Sequence, residues 1–347
     1  MTPEPYGALA LQMRCDAING VASEADARQH LLDGIERCGQ QLRGAKGFVR
    51  TFSGDEVRLV VLPEYFLTSF PMGEPPARWI ARACLAPDGP EYEALGRVAQ
   101  DNAVYLAGNG YETDPHFPGL YFQTSFIIAD NGDLVLRYRR LVSMFAPTPH
   151  DLLDRYLDIY GAEALFPVAD TPLGRLACVA SEEILYPEIS RCLALRGAEV
   201  LCHSSSEVGS PLLTPKNIAK RARAYENMVY VVSANSAGIE GIPFPAASTD
   251  GASQVVNYKG DVLAAADTGE SMCGNAEIDI AALRRVRRKP AMTNLLARQR
   301  LELYAATYAG SIYPPNNLLG DGAVPGREHY LAMQQRAIEA LVEWGVI

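Results

Sequence analysis

The chain has 347 residues, 48% of them hydrophobic and 21% charged, the composition of a folded globular protein and not of a disordered or fibrous one. Its formal net charge of −10 argues against nucleic acid as a partner, because phosphate binding calls for a basic face. The longest apolar runs, such as VYVVSAN at 229–235, stop far short of the roughly 20 residues a membrane span needs, so no membrane partner is expected.

In chain order, GALALQM opens as a strand, and ASEADARQHLLDGIERCGQQL follows with apolar residues at helical spacing behind Ser23 as a candidate cap. EVRLVVLPEYF reads as a buried strand ending at Pro63-Glu64, and GPEYEALGRVAQDN as a helix feeding the strand VYLAGNGYE. YFQTSFIIADNGDLVLRYRR is a pair of strands joined at Asn131-Gly132, a strong hairpin signal. The long segment 141–166, partly helical in HDLLDRYLDIYG, has the size of a lid or pocket wall, or of extra packing. Beyond LACVASEEILYPEIS come the strand AEVLCHSSS, the helix TPKNIAKRARAYENM, the strand VYVVSANSAG and the hairpin GASQVVNYKGDVLAAA. This alternation predicts an α/β fold, and the order of elements over 170–265 echoes that of the first half. Residues 286–347 are expected to form a mainly helical extension, broken by the loop YPPNNLLGDGAVPG, that packs on the 1–285 domain or on a partner subunit.

The seven cysteines (15, 38, 84, 178, 192, 202 and 273) are scattered, which predicts reduced thiols in a cytoplasmic protein and neither a disulfide frame nor a zinc site. MTPEPYGALALQ has neither the basic region nor the cleavage site of an export signal. The five histidines lack metal-ligand spacing, so no metal is expected, and RRVRRK at 284–289 reads as a solvated helix end.

Three polar residues sit at the ends of apolar strands, where open α/β sheets build their sites: Glu64 after VVLP, Arg140 at the end of LVLRYRR, and Ser181 after RLACVA. Alone, Glu64 reads more readily as a solvated strand end, Arg140 says still less, and Ser181 is equally the N-cap of EILYPEISRCLALRG. Taken together the segments resemble the nitrilase superfamily of carbon-nitrogen hydrolases. There a glutamate follows an apolar strand in a "PE" pair, a lysine closes a tyrosine-arginine-lysine strand end, and a cysteine occupies an elbow before an acidic residue and a later "PE". VVLPEYF puts Glu64 at the general base, RYRR puts Arg140 at the lysine position, and GRLACVASEEILYPEISR puts Ser181 at the cysteine position with Glu183 and Pro187-Glu188 following. RARAYENMVYVVSAN and DGASQVVNYKGDVL match the family further on, so the resemblance covers roughly residues 6–285.

The resemblance implies a four-layer αββα sandwich, homodimers or larger homo-oligomers, and no cofactor or metal. Its implied activity is hydrolysis of a non-peptide carbon-nitrogen bond in a small amide, carbamoyl compound or nitrile through an acyl-enzyme. Tyr65, His203 and Glu207 could face the substrate, Glu183 could order the elbow or act as a second acid, and His150 and Asp151 could enter from the long segment. Two departures stand out. Serine is much harder to ionise than cysteine, and serine enzymes usually recruit a histidine or a lysine as base; a guanidinium stays protonated and cannot shuttle a proton. Cys178, inside the apolar run, reads as an inert core thiol, as does Cys202. Three readings of Ser181 remain: a changed nucleophile, a catalytically silent binder of a small ligand or partner, or an engineered replacement of a cysteine.

Overall fold

The computed structural model describes residues 3–207, 214–247, 249, 251–318 and 324–347. Twelve strands carry the architecture: β1 (Tyr6–Gln12), β2 (Val57–Val61), β3 (Tyr105–Thr113), β4 (Tyr121–Ile128), β5 (Leu134–Arg139), β6 (Ala169–Thr171), β7 (Gly174–Ala180), β8 (Val200–Ser205), β9 (Tyr230–Asn235), β10 (Gln254–Val256), β11 (Val262–Ala265) and β12 (Ser271–Ile278). They form two six-stranded sheets, ordered β12-β1-β2-β3-β4-β5 and β11-β10-β9-β8-β7-β6. The predicted echo between the halves is a repeat of pairings. β1, β2 and β3 run parallel and then give way to the antiparallel β4 and β5; β7, β8 and β9 run parallel and give way to the antiparallel β10 and β11.

Strand alternation sorts side chains into layers. Ala8, Ala10, Leu59 and Val61 of the first sheet meet Leu176, Cys178, Val200 and Val232 of the second in one central core. The neighbouring positions Leu9, Leu11 and Val60 face outward onto helices α1 (Glu24–Ser53), α2 (Pro76–Ala83) and α3 (Pro90–Asn102). Ala177, Val179, Leu201 and Val231 face the other way, onto α5 (Pro187–Leu195) and α6 (Pro215–Asn227), with α4 (Leu153–Tyr160) preceding them in the chain. The result is the αββα sandwich that the resemblance implied.

Helix α1 starts where expected, with the Ser23 hydroxyl accepting from the Asp26 amide at 3.1 Å, but it runs past Leu42 to Ser53 because Ala45 and Val49 continue its buried stripe. Gly54, at φ 81°, ends it. The expectation of a mainly helical tail needs correction. Among the described residues beyond α7 (Ile280–Arg287), only Ala305–Tyr308 and α8 (Arg327–Glu343) are α-helical, since Pro290, Pro314, Pro315 and Pro325 break the chain into turns. Residues 319–323 of the expected loop lie outside the described residues. Leu318 packs with Phe117, Phe122, Leu152 and Tyr156, which joins the tail to the long segment.

Candidate active site

The carboxyl ends of the parallel strands β2, β7 and β8 converge. Ser204 donates its hydroxyl to the Leu62 carbonyl at 2.8 Å, and the Glu64 amide donates to the Ser205 carbonyl at 3.2 Å. These two bonds tie the sheets together at the point where Glu64 turns inward. Arg140 follows β5, its amide held by the Gln123 carbonyl at 2.9 Å. Ser181 follows β7 at φ 47°, a left-handed conformation that a non-glycine residue holds only under constraint. The strand-to-helix elbow is therefore real, and Ser181 is not a helix cap. It opens a 3₁₀ turn over Ser181–Leu185, and α5 starts only at Pro187.

Two groups hold the elbow. Glu183 is fully buried and accepts from Tyr138 Oη at 2.7 Å, from the amides of Leu141 and Val142 at 2.7 and 3.0 Å, and from the Ala180 amide at 3.3 Å. Burial pushes its carboxyl up to about 7, against the opposing pull of Arg140 and these donors. His203, expected to face substrate, is instead a buried residue of β8 whose Nε2 lies 2.8 Å from the Ser181 carbonyl and Nδ1 2.8 Å from Ser233 Oγ. Burial and the nearby Lys220 and Lys216 push His203 well below its usual range, so the ring is neutral. A carbonyl only accepts, which assigns the proton to Nε2 and leaves Nδ1 to accept from Ser233.

Glu64 is 1% exposed. It accepts from Gln123 Nε2 at 2.6 Å and from Ser206 Oγ at 2.8 Å, and pairs with Arg140 Nη1 at 3.4 Å. Burial favours its neutral form, but Arg140, Lys216 and the hydrogen bonds from Ser181 and Gln123 outweigh it and hold the carboxyl below its ordinary value. Arg140 also donates from Nε to the Val142 carbonyl at 2.6 Å and from Nη1 to Gln123 Oε1 at 2.5 Å, and from Nη2 it pairs with Glu182. Burial opposes its charge; Tyr65, Glu64 and Glu182 hold it protonated.

The sequence reading missed Lys216. Its Nζ lies 3.0 Å from Ser181 Oγ and 3.1 Å from Glu207 Oε2. It stands in the first turn of α6, which Thr214 caps by accepting from the Asn217 amide at 3.3 Å, with Pro215 opening the helix. Its Thr-Pro-Lys helix start reads only as a capped helix N-terminus and carries no sign of the serine it faces. Gln123 was also missed, although a glutamine in the apolar strand YFQTSF marks a buried polar partner. Glu207 reaches the site through Lys216, and its amide donates to Asn235 Oδ1 at 2.7 Å.

Beside these groups lies a cavity of about 670 Å³, walled by Tyr65, Tyr111, Tyr121, Gln123, Arg140 and Glu182, and closed on one side by residues 324–327 of the tail. Tyr65, at φ 55°, stacks on Tyr111 with ring centroids 5.5 Å apart. Glu64 sits one hydrogen bond in from this wall. His150 and Asp151 do not line it. Asp151 accepts from the Thr148 amide and hydroxyl, both at 2.8 Å, and from Asn317 at 2.7 Å, while His150 packs on Tyr313; the long segment spends them on its own fold. Cys178 and Cys202 are core thiols, pushed far up and up to about 12 by burial. A larger cavity, about 1000 Å³, is lined by Arg58, Arg175, Arg284, Arg287 and Arg288 with Glu199. Arg284 grips Glu199 at 2.6 and 2.8 Å, so the basic cluster is only partly the solvated helix end expected. Among the described residues no group of histidines, cysteines and carboxylates could hold a metal ion, and no helix is long and apolar enough to cross a membrane.

A sequence model of the family described as carbon-nitrogen hydrolase matches residues 26–288. A formamidase of Bradyrhizobium diazoefficiens is 27% identical over 214 residues, 61% of this chain and 57% of that one; the chain thus spans little more than half the formamidase's length. Among solved structures, a carbon-nitrogen hydrolase from Helicobacter pylori G27 superposes with a TM-score of 0.65 at 23% identity, covering 88% of this chain and 99% of the other. Saccharomyces cerevisiae Nit3, a member of branch 10 of the nitrilase superfamily, superposes with a TM-score of 0.62 at 19% identity, covering 84% and 96%.

Proposed function

Because the chain belongs to the carbon-nitrogen hydrolase family, we propose that it hydrolyses the carbon-nitrogen bond of a small amide or carbamoyl compound, or a nitrile, through an acyl-enzyme on Ser181. The observation that carries this reading is the convergence of Glu64, Arg140 and Ser181 beside a cavity large enough for a small molecule. For an amide, Ser181 Oγ attacks the carbonyl carbon and gives up its proton, for which the family resemblance assigns Glu64 as acceptor. The Nη2 proton of Arg140 that Glu182 does not take is the one left to serve the oxyanion that forms. The carbon-nitrogen bond breaks, the nitrogen leaves with a proton as ammonia or an amine, and water cleaves the ester to release the acid and restore the serine. The tyrosine-rich wall favours planar or apolar acyl groups larger than formyl.

The commitment of four of the five Arg140 N–H groups favours a second reading, a binder that has lost turnover. Ammonia or amine release from a panel of primary amides, carbamoyl compounds and nitriles of increasing size separates the two. Release, strongest for amides whose acyl group fills the cavity, is expected; binding to panel members without release from any of them overturns the hydrolase reading. Unpaired cysteines suit the cytoplasm, and the exposed Leu195, Ile218 and Tyr225 on α5 and α6 suit a homo-oligomer pairing through these helices.

A further inference from the structure

We infer that Lys216 is the general base of this site: its amine takes the Ser181 hydroxyl proton and hands it to the departing nitrogen. The inference rests on the hydrolase reading and replaces Glu64 in one step of it. Each neighbour of Ser181 other than Lys216 is unsuited to the task. Glu64 accepts a hydrogen bond from the Ser181 hydroxyl, but Arg140, Lys216, Gln123 and Ser206 hold it as a carboxylate of lowered basicity, which makes it a weak acceptor for the proton itself. His203 spends Nε2–H on the Ser181 carbonyl, not on its hydroxyl, and Nδ1 on Ser233. Arg140 carries no lone pair to accept with. Among the described residues Lys216 is the one whose nitrogen contacts Ser181 Oγ, at 3.0 Å, and an amine beside a serine hydroxyl is an established pairing for nucleophile activation on other folds.

Position supports the role. Glu207 Oε2 holds Nζ at 3.1 Å and Ser205 Oγ lies at 3.5 Å, so the amine is aimed at Ser181 from the first turn of a capped helix. The charged and titratable groups around it are Glu64 and Arg140 from the first sheet, His203 and Glu207 from β8 and its end, and Lys220 on α6 itself. The step balances. The ammonium that pairs with Glu207 first gives a proton to solvent; the amine then removes the Ser181 proton as Oγ bonds to carbon, and the ammonium so formed protonates the leaving nitrogen as the carbon-nitrogen bond breaks. In deacylation the amine removes a proton from water and returns it to Oγ as the ester breaks.

The test compares the full chain with Lys216→Met, Lys216→Arg and Ser181→Ala, reading kcat/KM against pH on the best panel amide and the rate at which a fluorophosphonate labels Ser181. A base must be unprotonated, so both rates rise with pH in the unaltered chain until the ammonium is titrated. Lys216→Met is expected to lower kcat/KM roughly 10²- to 10⁴-fold and to remove that rise. Lys216→Arg, which keeps charge but cannot accept a proton, is expected to be equally impaired. Activity of either variant within tenfold of the unaltered chain, with the pH profile kept, overturns the role of Lys216 and leaves the hydrolase reading standing, provided Ser181→Ala is inactive. Should a variant fail to fold, a labelling rate of Ser181 in the unaltered chain that does not rise with pH overturns the inference by itself. No release from the panel and no labelling of Ser181 overturns the hydrolase reading, and the inference with it.

Discussion

Ser181→Ala is expected to lower kcat/KM for amide hydrolysis by at least about 10⁴-fold, because in the proposed reaction the substitution removes the atom to which the acyl group is transferred and not merely one stabilising contact. The fold should survive. Ser181 is 4% exposed, and its backbone, not its hydroxyl, is what His203 and the 3₁₀ turn hold. An alanine at φ 47° meets the same backbone strain as the serine, so the denaturation midpoint should move little. Loss of turnover without loss of stability separates a nucleophile from a structural hydroxyl. Retained turnover at an unchanged midpoint would mean that the reaction runs through another group.

The second large effect is on stability. Glu183→Ala leaves Tyr138 Oη and the amides of Leu141 and Val142 without their acceptor in a fully buried place. Each stranded donor costs about 1–3 kcal/mol, so a total of about 3–9 kcal/mol is expected, the size of loss that marks a broken buried network. Glu183→Gln keeps one carbonyl oxygen for the Leu141 and Val142 amides and should cost appreciably less. Chemical denaturation of the three proteins measures both. A loss below about 1 kcal/mol in Glu183→Ala would show that the elbow does not depend on this carboxyl, and that the left-handed Ser181 is held by His203 alone.

What the sequence disclosed and what it withheld follow from where each residue sits on its element. Glu64, Arg140 and Ser181 each close an apolar strand, and their side chains meet, so three short motifs in order carried both the fold and the core of the candidate site. Lys216 was invisible to that logic. It comes from a helix start, faces the site across the sheet ends, and stands where nothing in the local pattern distinguishes a surface lysine from one aimed at a serine. Gln123 was hidden inside a strand whose alternation reads as core. His203 and Glu207 were picked out as polar residues past an apolar strand, yet periodicity cannot say which face a polar residue takes. His203 turned to the back of the elbow and Glu207 to the lysine. The tail looked helical from its Leu, Tyr and Arg content, but its prolines decide its path.

In the proposed reaction an acyl group passes through Ser181. Acid-quenching the chain during turnover of its best panel amide and measuring the mass of the peptide that contains Ser181 tests this directly. An increase equal to the acyl group is expected on that peptide, absent in Ser181→Ala and discharged when substrate is exhausted. Steady turnover with no acylated peptide, or the acyl mass on Cys178 or Cys202 instead, would contradict it.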